Sequence, residues 1–393
     1  MPGQYRHLAP ALAQAGHEVL FITQRKDVTI PGVRRIDYTP ARTAADSTHH
    51  YVRLYENSVI VGQQVARLLI DLERQKQVPD VIVSHPGWGE TLFAKDIFPQ
   101  VPLLHYCEFF YSGRGADVGF AREEPVTIDA ICRARARNAH LLLSLEACDA
   151  GISPTQWQKS RHPAPLSDKI EVIFDGIDTQ VVKPDARARF RLADGRELSR
   201  DDEVLTYVAR NLEPYRGFPS FMRALPKILA ARPQAQVVIC GGDEVSYGRP
   251  APDGKTWREV MLEEVKGMDL SRVHFTGKLP YAQYLALLQV SSLHIYLTVP
   301  FVLSWSCMEA MGAGCLMLGS STPPVQEVIE DAVNGRLCDF NSPDDIAEKA
   351  VAMLAERTRL DHLRAAARQT VLDRYEMQDC LRRHVAKVLS MAG

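Results

Sequence analysis

Apolar positions along the chain switch repeatedly between a helical and an extended period. Leu8 and Leu12 lie four apart, the spacing of one helical face, and Gly16 closes that pattern before an apolar run at 19–23 that reads as a strand. A strand follows at 34–38, then a helix at 49–73 in which Val52, Tyr55 and Val59 share a face. The next strand, 81–84, runs into a loop where Gly87 and Gly89 permit a tight turn before a helix at 88–97; a strand at 101–106 delivers Glu108 to its far end. A helix at 128–147 precedes ISPT and a short helix carrying Trp157, and a strand at 169–174 is stopped by DGID. Strands and helices alternating on this scale predict a parallel sheet covered on both faces.

Between 178 and 202 the apolar content drops while Pro184 and a run of charges appear, which places a domain boundary there. The pattern then restarts. A strand at 204–209 leads through RNLEPYRG to a helix with Phe218, Phe221, Met222, Leu225, Ile228 and Leu229 on one face. Strands at 236–240, 273–275, 293–297, 315–318 and 335–337 alternate with helices at 257–265, 281–288, the stretch after Phe301, and 346–354. A final amphipathic helix at 377–389 must pack on its own domain or cross back to the first. The expected fold class is α/β, two Rossmann-like doubly wound domains at 1–182 and 183–374, with the last helix in 375–393. A chain of 393 residues exceeds what one core usually supports, which agrees with two domains.

The charges nearly balance, 46 basic against 48 acidic, so nothing electrostatic calls for a nucleic acid. Eight cysteines are scattered without Cys-x-x-Cys or Cys/His spacing, which suits reduced thiols and no metal site. No apolar run approaches the roughly 20 residues of a membrane span, and no signal peptide opens the chain. A cytoplasmic location is expected, with peripheral contact at the inner membrane face left open.

In open parallel sheets ligands bind beyond the carboxyl ends of the strands, so the loops after Ala209, Cys240, Phe275 and Leu297 carry the candidate chemistry. Arg210 and Arg216 flank LEPY, and two guanidiniums there could clamp a diphosphate, although Arg216 alone reads equally as a solvated side chain. Gly241 and Gly242 permit a ligand close to the backbone or simply form a tight turn. Gly3 and Gln4 precede the first helix and could offer N–H groups to an anion. The stretch PFVLSWSCMEAMGAGCLMLGSSTPPVQEVIE places Ser304, Trp305 and Ser306 at a helix start, where unbonded N–H groups suit a phosphate, and Glu309 about two turns on, where a carboxylate could accept from sugar hydroxyls.

In their order and spacing these segments resemble the retaining GT-B glycosyltransferases of family 4, also called glycosyl transferases group 1. PGQYRHLAPALAQAGHEVLFIT, ISPTQWQKS with IEVIFDGID, VARNLEPYRGF, VHFTGKLP and CMEAMGAGCLMLGSSTPPVQEVIEDAVNGRL carry the resemblance across nearly the whole chain. It implies a GT-B architecture whose two domains face a cleft, and transfer of a sugar from a UDP- or GDP-linked donor to a glycan, lipid-linked or small-molecule acceptor, without a metal ion or resident cofactor. It also implies that Arg210 and Arg216 hold the donor diphosphate, that Glu309 binds the ribose, and that Gly277 and Lys278 lie beside the base. Backbone N–H groups near Ser304 to Ser306 would face the phosphates. For the acceptor side and the catalytic partner the candidates are Glu108, at a strand exit, and His85, in the loop after strand 81–84. Glu108 also reads as a surface carboxylate, and His85 as bonded within its own loop.

Two departures stand out. The family carries two glutamates with seven residues between them; Glu309 matches the second, but Phe301 stands at the first, leaving Ser304, Ser306 or Thr298 to meet the donor sugar. The family also has a strand before the PGQ-like loop, so the N-terminal domain is expected to lack its usual first strand. Rival readings are a GT-B epimerase or phosphorylase, and a catalytically silent nucleotide-binding or scaffold protein.

Overall fold

The computed structural model describes residues 3–27 and 29–393. Met1 and Pro2, on which the expectation about the chain's opening rests, lie outside them. The chain divides into two compact units, one of Met1–Gly113, Thr127–Gly176 and Met377–Gly393, the other of Arg114–Val126 and Ile177–Glu376. Both are α/β with parallel main sheets.

The first unit holds β1 (Val19–Thr23), β2 (Val33–Asp37), β3 (Ile82–Ser84), β4 (Leu103–Tyr106), β5 (Ala150–Ser153) and β6 (Ile170–Val172). They form two parallel sheets, β1-β2 and β3-β4-β5-β6. The two sheets share both of their apolar faces: Leu20 and Ile22 of β1 join Ile82 and Leu103 in one cluster, and Phe21 joins Val83 and Leu104 in another. Side chains alternate across a strand, so β1 lies level with β3, yet the two are not hydrogen-bonded to each other. The helix Arg53–Arg74 covers one face through Val61, Val65, Leu69 and Leu72. The helix Met377–Ala392 covers the other, with Leu381, Val385 and Val388 against Tyr5 and Leu8.

Two helices differ from the sequence pattern, each because of a contact with a segment distant in sequence. The run at 88–97 yields only a 3-10 turn, Pro86–Trp88, and a single helical turn, Ala94–Ile97. Gly89 between them has φ +92, and a Cβ there would lie 2.4 Å from the Ser58 carbonyl oxygen. The run at 128–147 breaks into Ile128–Arg137 and Ala139–Ala147. At the break Asn138 accepts from Tyr111 N–H at 2.9 Å and donates to its carbonyl at 2.7 Å, so the junction anchors the loop after β4.

In the second unit a short hairpin, β7 (Phe190–Arg191) with β8 (Glu197–Leu198), precedes β9 (Val204–Asn211), β10 (Gln236–Gly242), β11 (Val273–Gly277), β12 (Leu293–Tyr296), β13 (Met317–Ser320) and β14 (Arg336–Cys338). The last six form one parallel sheet in the order β11-β10-β9-β12-β13-β14. The chain builds outward from β9 in one direction, then restarts on its other side with β12. Such a reversal opens a crevice at the carboxyl ends of β9 and β12, bounded here by the loops around 212–217 and 297–304. The helix Phe218–Ala231 seals one face of the unit, with Phe218, Phe221, Met222, Leu225 and Ile228 fully buried. A helix absent from the sequence pattern, Asp361–Arg374, is held by buried Arg364, which donates to the carbonyls of Ser291, Ser292 and Gly314.

Candidate functional site

The crevice between β9 and β12 gathers several of the residues singled out by sequence. Pro214–Arg216 forms a 3-10 turn ended by Gly217 in the left-handed region, φ 66, where a Cβ would lie 2.6 Å from that of Leu297. This turn folds Arg216 inward. The buried guanidinium donates through Nη1 to Tyr296 Oη at 3.2 Å, Thr298 Oγ1 at 2.8 Å and the Val302 carbonyl at 3.2 Å. Burial opposes its charge, but Tyr296, Tyr247 and Glu213 outweigh that, so its pKa lies above the ordinary value. Arg210 is exposed near the end of β9. Both guanidiniums lie over the Tyr247 ring, 5.9 Å from its centroid for Arg210 and 5.4 Å for Arg216.

Tyr296 ties this cation to the next element, since its hydroxyl also accepts from Ser304 N–H at 2.8 Å. Ser304 caps the helix Trp305–Gly312, its Oγ accepting from Ser306 N–H at 3.3 Å. Two positive features, a fixed guanidinium and a helix start, are therefore joined through one phenol. Further along that helix Glu309 accepts from Tyr281 Oη at 2.9 Å and from Tyr284 Oη at 2.8 Å. Burial, then the neighbouring carboxyl group of Glu309, hold the Tyr284 phenol well above its usual pKa, so it keeps its proton as a donor.

Phe301 is buried beside two aromatic rings, 5.6 Å from Tyr215 and 5.1 Å from Tyr247 between centroids. The loop carrying Tyr247 is fixed by Glu213, a fully buried carboxylate whose Oε2 accepts from the backbone N–H groups of Ser246, Tyr247 and Gly248 at 3.3, 3.1 and 3.0 Å. Asp117, from the Arg114–Val126 segment of the same unit, accepts from Tyr215 Oη at 2.6 Å.

The remaining candidates of this unit are placed less tellingly. Gly241 packs against the neighbouring strand, where a Cβ would lie 2.8 Å from the Ala209 carbonyl, so sheet packing alone requires it. A Cβ on Gly242 would meet Asn211 Oδ1 at 2.5 Å. Gly277 has φ +65 and ends β11, and exposed Lys278 pairs with Glu244 at 2.7 Å.

In the first unit, His85 and Glu108 leave neighbouring strands β3 and β4, and the structure brings them together. His85 Nδ1 accepts from Gly87 N–H at 3.0 Å, which puts the proton of a neutral ring on Nε2, 3.4 Å from Glu108 Oε2. Glu108 Oε1 also accepts from Gln4 Nε2 at 3.1 Å. Gly3 opens the short 3-10 turn Gly3–Tyr5 that presents Gln4. Beside the pair, Tyr106 Oη donates to the Asp175 carboxylate at 2.9 Å. Glu90 accepts from Tyr38 Oη at 2.9 Å, and burial raises its pKa. A cavity of about 300 Å³ opens against His85 and Glu108, with Trp88, Phe109, Phe110 and Tyr111 among its walls. Among the described residues no cluster of three His, Cys, Asp or Glu could hold a metal ion, and no helix is long and apolar enough to cross a membrane.

The family model described as Glycosyl transferase family 4 group matches residues 15–182, and that described as Glycosyl transferases group 1 matches residues 191–370. The chain belongs to the group 1 glycosyltransferases. Two curated relatives match over part of their length. An uncharacterized glycosyltransferase of Methanocaldococcus jannaschii is 26% identical over 53% of this chain and 50% of its own. D-inositol 3-phosphate glycosyltransferase of Mycobacterium avium is 24% identical over 47% of this chain and 41% of its own. The chain thus spans about half the length of the curated relatives it matches, or somewhat less. Among solved structures, sucrose-phosphate synthase from Thermosynechococcus elongatus superposes with a TM-score of 0.70 at 20% identity, over 98% of this chain and 92% of that one. Anabaena HepE in complex with UDP-glucose gives 0.68 at 13% identity, over 98% and 94%. At these identities the structures establish the shared fold, GT-B.

For a group 1 glycosyltransferase, the residues that sequence reasoning missed are mostly those that position others. Glu213 precedes a proline in RNLEPYRG, and a buried-acid role there has no local signal. Tyr281 and Tyr284 are three apart on one helix, the spacing that could have marked them as a pair. Tyr247 and Asp117 lie in polar loops with no periodicity to read.

Proposed function

We propose that this group 1 glycosyltransferase moves a sugar, with retained configuration, from a UDP- or GDP-linked donor to a hydroxyl of a glycan, lipid-linked or small-molecule acceptor. The observation that carries the reading is Arg216, buried at the crevice of the second unit with its orientation set by Tyr296, Thr298 and Val302, beside Arg210 and a helix start. Such preset positive charge suits a group that becomes more negative as its bond breaks. In the step, the bond from the anomeric carbon to the β-phosphate oxygen breaks and its electron pair leaves with the nucleoside diphosphate. The acceptor oxygen forms the new bond on the same face, and its proton passes to the leaving phosphate. Arg210 and Arg216 take up the growing charge. Glu309, held by Tyr281 and Tyr284, accepts from ribose hydroxyls, and Gly277 and Lys278 border the base. His85 and Glu108 orient the acceptor hydroxyl. The UDP-glucose bound to Anabaena HepE supports a uridine donor. No metal ion or resident cofactor takes part in this reading, and peripheral contact with a membrane surface is compatible with it.

The test is product formation from a panel of sugar nucleotides with Arg210→Ala and Glu309→Ala. Each variant should lose transfer by at least about 100-fold while keeping its fold, since one such contact in a preorganised site is worth roughly 10²–10³. Full activity in either would overturn the assignment, and an epimerised or phosphorolysed donor in place of an acceptor product would replace it.

A further inference from the structure

The cavity of the first unit carries chemical information about the acceptor. At about 300 Å³ it lies at the lower end of the roughly 300–1,000 Å³ typical of small-molecule pockets, room for one sugar ring rather than an oligosaccharide. The His85–Glu108 pair is one polar feature of its wall, with Gln24, Asn57 and Arg137 among the others, while Trp88 and Phe109 to Tyr111 supply rings. His85 itself lies beside two rings, its centroid 4.7 Å from that of Trp88 and 5.6 Å from that of Tyr106.

The lining looks cationic in sequence but is not built to hold an anion. His162 Nδ1 faces the Gln158 and Lys159 carbonyls, His140 Nε2 bonds the Gly87 carbonyl, and burial lowers the pKa of both, so both rings are neutral at pH 7. Arg137 stacks 3.9 Å from the Tyr111 ring centroid, and Glu108 contributes a negative charge. A phosphorylated acceptor would meet one stacked guanidinium and a carboxylate. At the same time two apolar side chains of the lining remain half in water, Leu54 at 47% exposure and Trp88 at 52%. An apolar group on the ligand would cover them.

We propose that this cavity receives one uncharged pyranose ring of the acceptor, stacked on Trp88 with a hydroxyl directed at the His85–Glu108 pair, and that the acceptor carries an apolar aglycone lying over Leu54. The inference rests on the transferase reading for its name, acceptor site, but its test does not need turnover. The full chain is titrated with the octyl β-glycosides of glucose, galactose and mannose below their micelle concentrations, with the matching methyl glycosides, and with glucose 6-phosphate, and binding is read by saturation-transfer NMR. At least one octyl glycoside should bind, its methyl counterpart at least tenfold more weakly, and glucose 6-phosphate more weakly than either. Trp88→Ala should weaken octyl and methyl glycosides alike, by tenfold or more. Leu54→Ser should weaken the octyl glycoside and leave the methyl one unchanged. Failure of every glycoside to bind, tighter binding of glucose 6-phosphate, or binding indifferent to both substitutions would overturn the proposal. Titration with UDP and GDP runs alongside: nucleotide binding without glycoside binding sinks the cavity assignment alone, and glycoside binding without nucleotide binding sinks the transferase reading alone.

Discussion

The second unit threads β9 to β14 into one six-stranded sheet and keeps β12 and β13 wholly buried, whereas the strands of the first unit fall into two sheets and β1 and β2 leave most side chains partly or fully exposed. The polar groups are distributed the opposite way from what that suggests. In the second unit Arg216 and Glu213 sit just outside the sheet, on turns that the sheet holds still. In the first unit His105 and Tyr106 lie on β4, and His85 and Glu108 follow the ends of β3 and β4, so the site and the core are partly the same atoms. A unit that must hold a dense charge gains from rigid supports around it. A unit whose core contains titratable groups ties its stability to pH.

The comparison can be broken most decisively at Arg216. Replacing it by Ala should lower kcat/KM with the sugar nucleotide by roughly 10²–10³-fold, the range for losing one donor in a preorganised site. A loss below tenfold would mean that the rigid supports around it serve something other than the donor. Next in size is Glu213→Ala, which strands three backbone N–H groups. It should cost about 2–3 kcal/mol in urea unfolding, at roughly 1 kcal/mol per lost bond, with the loss in protection against hydrogen exchange concentrated at Ser246 to Gly248.

Acid should separate the units further. His105, fully buried, has its pKa pushed down to about 3 by burial, and burial also lowers His140, His162 and His384, all in the first unit. The second unit has His274 and His294 in the same situation. A histidine whose folded pKa is depressed binds fewer protons folded than unfolded below about pH 6.5. Its contribution is therefore complete above that pH and is lost as pH falls toward the folded value. Exchange protection between pH 7 and pH 5, corrected for intrinsic rates, should fall more in the first unit; an equal fall would erase the distinction. The smallest effect is expected for Glu90→Gln. A raised carboxyl pKa favours the folded state at low pH and penalises it as pH rises through the folded value. The variant should melt higher than the parent at pH 8, and the gap should close below about pH 4.5. A gap that persisted at low pH would assign the effect to packing instead.

Much of the fold was legible because it is written in local periodicity. The apolar run at 19–23 is β1 to the residue, and the Ser/Trp/Ser cluster does open a helix, Trp305–Gly312. Failures came where a long-range contact overrides the local pattern: Gly89 against Ser58, and Asn138 against Tyr111. The site follows the same division. Arg210, Arg216 and Glu309 could be picked out because their loops follow apolar strands or helix starts, but the partners that aim them, Tyr296, Tyr281 and Tyr284, are chosen by tertiary packing. The meeting of His85 and Glu108 was recoverable in principle, since both leave consecutive strands that proved to be neighbours.

The chain passes between its two units at four points, after Gly113, Val126, Gly176 and Glu376. A chimera made by exchanging halves with a relative at a single junction would therefore cut across both units. A swap ending at Gly176 would strip the first unit of the helix that carries Leu381, Val385 and Val388, and leave the second without Asp117. Recombination that respects the physical units needs all four junctions at once, so a single crossover exchanges neither unit intact.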